Sequence, residues 1–148
     1  MKKALLIYLV LALTLPMVLI AGCKSSAPSN TSKMEVATTF VFTKQPTGAA
    51  PGKAFTTQPV VAVTDPYGNV ILGYTGAITL AITHGTGASG AKLSGKITVD
   101  VSGGTATFTD LSIDIVGSGY SLTATSGSLI PTSSKNFDVA VPTPPTKT

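Results

Sequence analysis

From Ala77 onward the chain repeats one device: an apolar side chain at every second position, in short runs cut off by glycine, proline, asparagine or aspartate. Ile78, Leu80 and Ile82 alternate with Thr79 and Ala81, and Ile97, Val99 and Val101 follow in the same phase. Successive side chains of a strand point to opposite faces, so a period of two gathers the apolar residues on one side. A one-sided apolar strand needs a cover, and this requirement constrains the fold more than any other feature. Charged residues make up only 11% of the chain, too few for the polar faces of amphipathic helices, so the cover must itself be sheet.

About seven strands are predicted between Glu35 and Val141. The first spans Val36 to Thr43 and is broken by Gln45-Pro46, because proline cannot donate to a ladder; the second spans Gln58 to Thr64. Asp65-Pro66-Tyr67-Gly68-Asn69 is a tight-turn sequence, with φ pre-set at Pro66 and a permissive glycine. The third runs from Ala77 to Thr83, the fourth carries Ile97, Val99 and Val101, and Ala106 and Phe108 mark the fifth after the Gly103-Gly104 turn. Tyr120, Leu122 and Ala124 mark the sixth, and Phe137, Val139 and Val141 the seventh. Two such sheets must cover each other's inner faces, giving a single all-β sandwich over residues 35–141. The expected core is Phe40, Phe42, Val61, Leu80, Val99, Phe108, Leu111, Tyr120, Leu122 and Phe137.

The N-terminus has a different character. Met1-Lys2-Lys3 is positive, Ala4 to Ile20 is almost uninterruptedly apolar, and Ala21-Gly22 places small residues before Cys23, as a cleavable helical signal peptide requires. The tetrad Ile20-Ala21-Gly22-Cys23 resembles a bacterial lipobox, with Ile20 where such motifs more often carry Leu. The resemblance implies cleavage between Gly22 and Cys23, lipid on the Cys23 thiol, and a signal peptide over residues 1–22. The competing readings are an uncleaved transmembrane anchor, which Pro16 and the small residues before Cys23 oppose, and a buried structural thiol. The implied location is a membrane on the exported side, at the outer membrane, its periplasmic face or the cell surface. Lys24, where an acidic residue would imply retention at an inner membrane, resembles proteins that travel onward.

Residues 23–34 read as the lipidated cysteine and a tether, since the run from Lys24 to Lys33 has nothing to bury; as a coil it would span roughly 16 to 19 Å. Pro142-Thr143-Pro144-Pro145 opens a tail over residues 142–148 that cannot supply a regular ladder of donors.

Three stretches resemble the bacterial immunoglobulin-like modules of exported surface proteins. They are Phe40-Val41-Phe42-Thr43-Lys44-Gln45-Pro46-Thr47-Gly48 continuing to Ala54 through Val61, Leu80-Ala81-Ile82-Thr83 with Gly85 to Gly87 and Leu93 to Gly95, and Gly104-Thr105-Ala106-Thr107-Phe108-Thr109-Asp110-Leu111-Ser112-Ile113-Asp114 continuing through Ala124. The resemblance implies an immunoglobulin-like β-sandwich with an envelope or adhesion role, and it transfers no ligand-binding residue. Tyr120 stands where a tyrosine corner would, its hydroxyl bonded to an upstream backbone group; a plain core aromatic is the other reading. There is neither a cysteine pair nor a tryptophan, so antibody-type recognition loops do not follow.

Few groups suit chemistry. Without the two leader lysines, eight remain against six acidic residues, a net +2 with no arginine and no cluster, which excludes a nucleic-acid-binding face. The single histidine, His84, lies in a Gly-rich turn with no orienting partner nearby, and no catalytic constellation or cofactor is expected. Asp110 and Asp114 would make a calcium site only if Asp65 or Asn69 joined them; surface charge and turn capping are the alternative, and no metal site is expected. Tyr67 and Tyr74 would offer stacking surfaces for a sugar or peptide if both were exposed, with His84 as a third possible ligand contact. Backbone pairing at an open sheet edge is a further route to a peptide partner. The expected function is a lipid-anchored, monomeric, non-enzymatic envelope module, its partners membrane lipid through Cys23 and an envelope glycan or protein. The alternative is a small glycan- or peptide-binding surface protein.

Overall fold

Every regular element in the computed structural model, which describes residues 36–143, is a β-strand. The strands are β1 Thr39–Lys44, β2 Val60–Thr64, β3 Ala77–Ile82, β4 Leu93–Ser94, β5 Thr98–Asp100, β6 Thr105–Thr107, β7 Ser112–Ile113, β8 Gly117–Tyr120, β9 Leu122–Thr125, β10 Thr132–Ser133 and β11 Phe137–Val139. The expected signal peptide, Cys23, the expected tether and the last five residues of the expected tail lie outside the described residues.

Two sheets form the body. One has the order β1-β2-β6, the other β10-β9-β3-β5, and all ladder pairs are antiparallel. The period-2 pattern does what it requires. Phe40, Phe42, Val61 and Val63 of the first sheet and Ile78, Leu80, Leu122 and Ala124 of the second turn inward into one continuous apolar cluster. Thr79 and Thr98 face outward across their ladder and bond through their hydroxyls at 2.9 Å; Thr83 and Thr123 do the same at 2.8 Å. The architecture is therefore an all-β sandwich.

The expected core is buried throughout except for Val99, which is half-buried. Its strand, β5, pairs with β3 alone and forms the sheet's edge, so one flank stays open. Phe55, Ile71 and Ile113 join the core from connections between principal strands, where periodicity offers no warning.

Eleven strands replace the expected seven, for three reasons. The run from Tyr120 to Ala124 is two strands, because its hairpin with residues 132–139 is interrupted at Ser121: Thr132 and Ser133 of β10 pair with Ala124 and Thr123 of β9, and Phe137 and Val139 of β11 with Tyr120 and Gly117 of β8. Ser121 is buried at this interruption, donating its N–H to Thr86 Oγ1 (3.2 Å) and accepting from Thr83 N (2.8 Å). Short pairs also form outside the body, β4 with β7 and β8 with β11. Last, β10 is a two-residue strand of polar Thr132-Ser133 without an apolar signature. The limits of the outer strands shift as well, with Val36 and Val141 outside β1 and β11 and both largely exposed.

The core is closed to polar frustration: among the described residues no buried side-chain nitrogen or oxygen lacks a hydrogen-bond partner. Tyr120 illustrates this. Its ring is fully buried, stacked obliquely on Phe137 with centroids 6.1 Å apart, and its hydroxyl donates to the Ile115 carbonyl at 2.9 Å.

Candidate functional site

Strand register assigns the candidate residues to two ends. Thr39 pairs with Thr64 and Lys44 with Val60, so the start of β1 and the finish of β2 share an end. Thr38 accepts from Ile130 N (2.9 Å) and donates to the Thr64 carbonyl (2.9 Å), which brings the connection before β10 to that same end. Tyr74, just before β3, is tied there too, its hydroxyl 2.8 Å from Ser126 Oγ. We call this the Tyr67 end.

Tyr67 is held there by its own turn. Asp65 is buried and accepts from the backbone N–H groups of Tyr67 (2.8 Å) and Asn69 (2.9 Å) and from Asn69 Nδ2 (2.8 Å). Its carbonyl accepts from Gly68 N at 3.1 Å, and its N–H donates to the Asn69 carbonyl at 3.0 Å. A carboxylate that accepts several N–H groups fixes a short loop through charge-assisted bonds. The turn so fixed presents Tyr67 to solvent, 81% exposed. Tyr74 is half-buried and borders a shallow hollow with Ala37, Ile71, Gly73 and Thr75.

His84 lies at the other end. It follows β3, whereas Tyr74 precedes it, and a strand of this length separates them by about 20 Å. His84 and Gly85 occupy the middle of a turn closed by Thr86 N donating to the Thr83 carbonyl (3.1 Å), and His84 is exposed. The three possible ligand contacts therefore form no single site; a binding surface at the Tyr67 end would have Tyr67 and Tyr74 without His84.

The four residues weighed for calcium separate in the same way. Asp65 and Asn69 bond each other at the Tyr67 end. Asp110 accepts from Lys96 N (2.9 Å) and Asp114 from Lys92 N (2.7 Å) at the His84 end. Asp65 caps its own turn, whereas Asp110 and Asp114 accept backbone N–H groups from the residues flanking β4, and among the described residues no three His, Cys, Asp or Glu side chains gather as a metal site would require. Cys23 and Gly22 lie outside the described residues, and among those described no helix is long and apolar enough to cross a membrane.

One group of residues carries no chemical motif and escapes a motif-based reading. Leu72 is 70% exposed, Val36 62% and Ile130 59%, and with Tyr67 and Val70 they stand at the Tyr67 end. A signal existed for Leu72 alone: the apolar run Val70-Ile71-Leu72 lies between turn residues and can bury only its middle member. No protein-family model matches the chain, and no curated protein matches it.

Proposed function

We propose that this protein is a lipid-anchored, non-enzymatic, immunoglobulin-like module of a bacterial envelope, with a structural or adhesive role. The observation that carries the reading is the tetrad Ile20-Ala21-Gly22-Cys23 at the end of a positively started apolar run, a short tether ahead of the first described residue of a β-sandwich. Such a cysteine, once acylated with two or three chains, holds a domain at a membrane far longer than one chain does, at about 0.8 kcal/mol per buried methylene.

The immunoglobulin-like reading is supported by connectivity. Counting β1, β2, β3, β5, β6, β9 and β10 as the principal strands, the first, second and fifth form one sheet, and the seventh, sixth, third and fourth the other. Seven-stranded immunoglobulin domains likewise place the first, second and fifth strands on one sheet and the third, sixth and seventh on the other; their fourth strand lies beside the fifth, whereas here it lies beside the third, at the edge of the other sheet. Tyr120 precedes β9, the sixth of these, and bonds back to Ile115, as a tyrosine corner does. The non-enzymatic reading is supported by how the polar groups are used: threonine hydroxyls pair across ladders, Asp65, Asp110, Asp114 and Asp138 accept backbone N–H groups, and His84 is solvated in a turn.

The test is intact mass with lipid extraction on the native protein and on Cys23→Ser. A wild-type chain that begins at Cys23 and carries acyl chains, absent from the variant, is the expected result. An unmodified chain retaining residues 1–22 would sink the lipoprotein reading.

A further inference from the structure

We infer that the Tyr67 end of the sandwich is a second membrane contact, an apolar tip that rests in the headgroup region of the bilayer holding the anchor. The inference rests on the lipid-anchor reading above.

The first argument is where the apolar surface lies. Among the described residues, five of the ten large hydrophobic residues left exposed stand at this end: Val36, Tyr67, Val70, Leu72 and Ile130. Four of them, Tyr67, Leu72, Val36 and Ile130, are among the five most exposed of the ten. Hydrogen bonds between the loops hold them together. Thr38 connects the Ile130 and Thr64 backbones, Tyr74 connects the β2–β3 loop to Ser126, and Val70 bridges to Thr64. Apolar residues gathered on one small surface mark an interaction site, whereas scattered ones need no explanation.

The second argument is charge. All five lysines among the described residues, Lys44, Lys53, Lys92, Lys96 and Lys135, belong to the opposite end or to connections leading from it. At the Tyr67 end the described charged residues are Asp65, buried within its turn, and Asp100, set back in the ladder opposite Ala77. A surface entering a headgroup layer must leave its charges behind, and tyrosine suits that layer because its ring is apolar and its hydroxyl polar.

The third argument identifies the occupant. The chain leaves the sandwich at this end, since Val36 leads into the start of β1. Twelve residues, 24–35, separate Cys23 from Val36, a reach of at most about 47 Å. An anchor on Cys23 is therefore joined to the sandwich at this end, opposite the end that carries the described lysines.

The chain has no tryptophan, so one introduced residue reports alone. Full-length Leu72→Trp and His84→Trp, each with its native modification, would be reconstituted into phosphatidylethanolamine–phosphatidylglycerol vesicles, with and without brominated acyl chains. Both positions are exposed, and Ile130→Trp supplies a second reporter at the tip. We expect the emission of Leu72→Trp to shift to shorter wavelength and to be mostly quenched by bromolipid, with that of His84→Trp unchanged. Intact mass separates the two ideas. If Cys23 is acylated but both reporters stay in water, the anchor stands and the tip contact is refuted. If Cys23 is unmodified, the anchor reading fails, and the same two emissions still decide for or against the tip. A lipid-independent shift in Leu72→Trp that grows with protein concentration would overturn the inference in favour of a second copy covering this end.

Discussion

Gly87 covers the ring of Tyr120, and replacing it with alanine tests how rigidly the core is built around that ring. A Cβ at Gly87 would fall well inside the van der Waals envelope of Tyr120 Cδ1 and Cε1. The ring cannot swing clear, because its hydroxyl is bonded to Ile115 and its other neighbour is Phe137. Gly85 is the matched control: its φ of 79° is as left-handed as the 68° of Gly87, but a Cβ there meets nothing within 4 Å. Left-handed backbone costs an alanine about 1 kcal/mol at either position. Forcing a methyl group into a filled core adds about 1–3 kcal/mol, so Gly87→Ala should cost about 2–4 kcal/mol against about 1 for Gly85→Ala. An unfolding entropy of ~2.1 cal/mol/K per residue over about 110 residues converts each kcal/mol to about 4 °C of Tm. Thermal melts and urea titrations followed by circular dichroism would therefore place Gly87→Ala about 4–12 °C below Gly85→Ala. Equal losses in the two variants would refute the argument, showing that the Tyr120 ring yields at little cost.

Three further perturbations probe the same structure. Tyr120→Phe removes only the bond to Ile115 and should cost about 1 kcal/mol, or about 4 °C of Tm; an unchanged melt would mean that the bond has no net energetic value. Phe108→Ala empties a fully buried site in the sandwich core and should cost about 3–5 kcal/mol in urea titration, and a loss below about 1 kcal/mol would contradict its placement. Asp65→Ala deprives the Tyr67 and Asn69 N–H groups of their acceptor, so a loss of about 2 kcal/mol is expected, with faster proteolytic cleavage in residues 65–76; cleavage at the wild-type rate would mean that the turn holds without its carboxylate.

Much was legible in the chain because it depends on local geometry. The alternation in Ile78, Leu80 and Ile82 implies a strand with one inward face whatever its neighbours are, and β3 is such a strand. Proline at 46 and the Asp65–Asn69 turn mark breaks through restrictions on single residues, and the chain does leave its strands there. The upstream partner of the Tyr120 hydroxyl was likewise foreseeable, as one of two readings. The proposal for Cys23 rests on the same local kind of reading, since a leader followed by a lipobox-like tetrad is a linear address that needs no fold to be read.

Other features existed only once distant segments met. The interruption of the ladder at Ser121 involves Thr83, Thr86 and Ser134, which no local pattern around Tyr120 to Ala124 contains. Val99 looked like core by its phase and is half-buried because β5 became an edge, a matter of sheet order. The division of Tyr67 and Tyr74 from His84 follows from the direction of β3. The apolar end has the same origin: Val36, Leu72 and Ile130 lie far apart in sequence, and each alone is an ordinary exposed residue. Periodicity determines which way a side chain faces along its own strand, but which end of a sandwich it occupies, and beside what, is set by the pairing of strands remote in the chain.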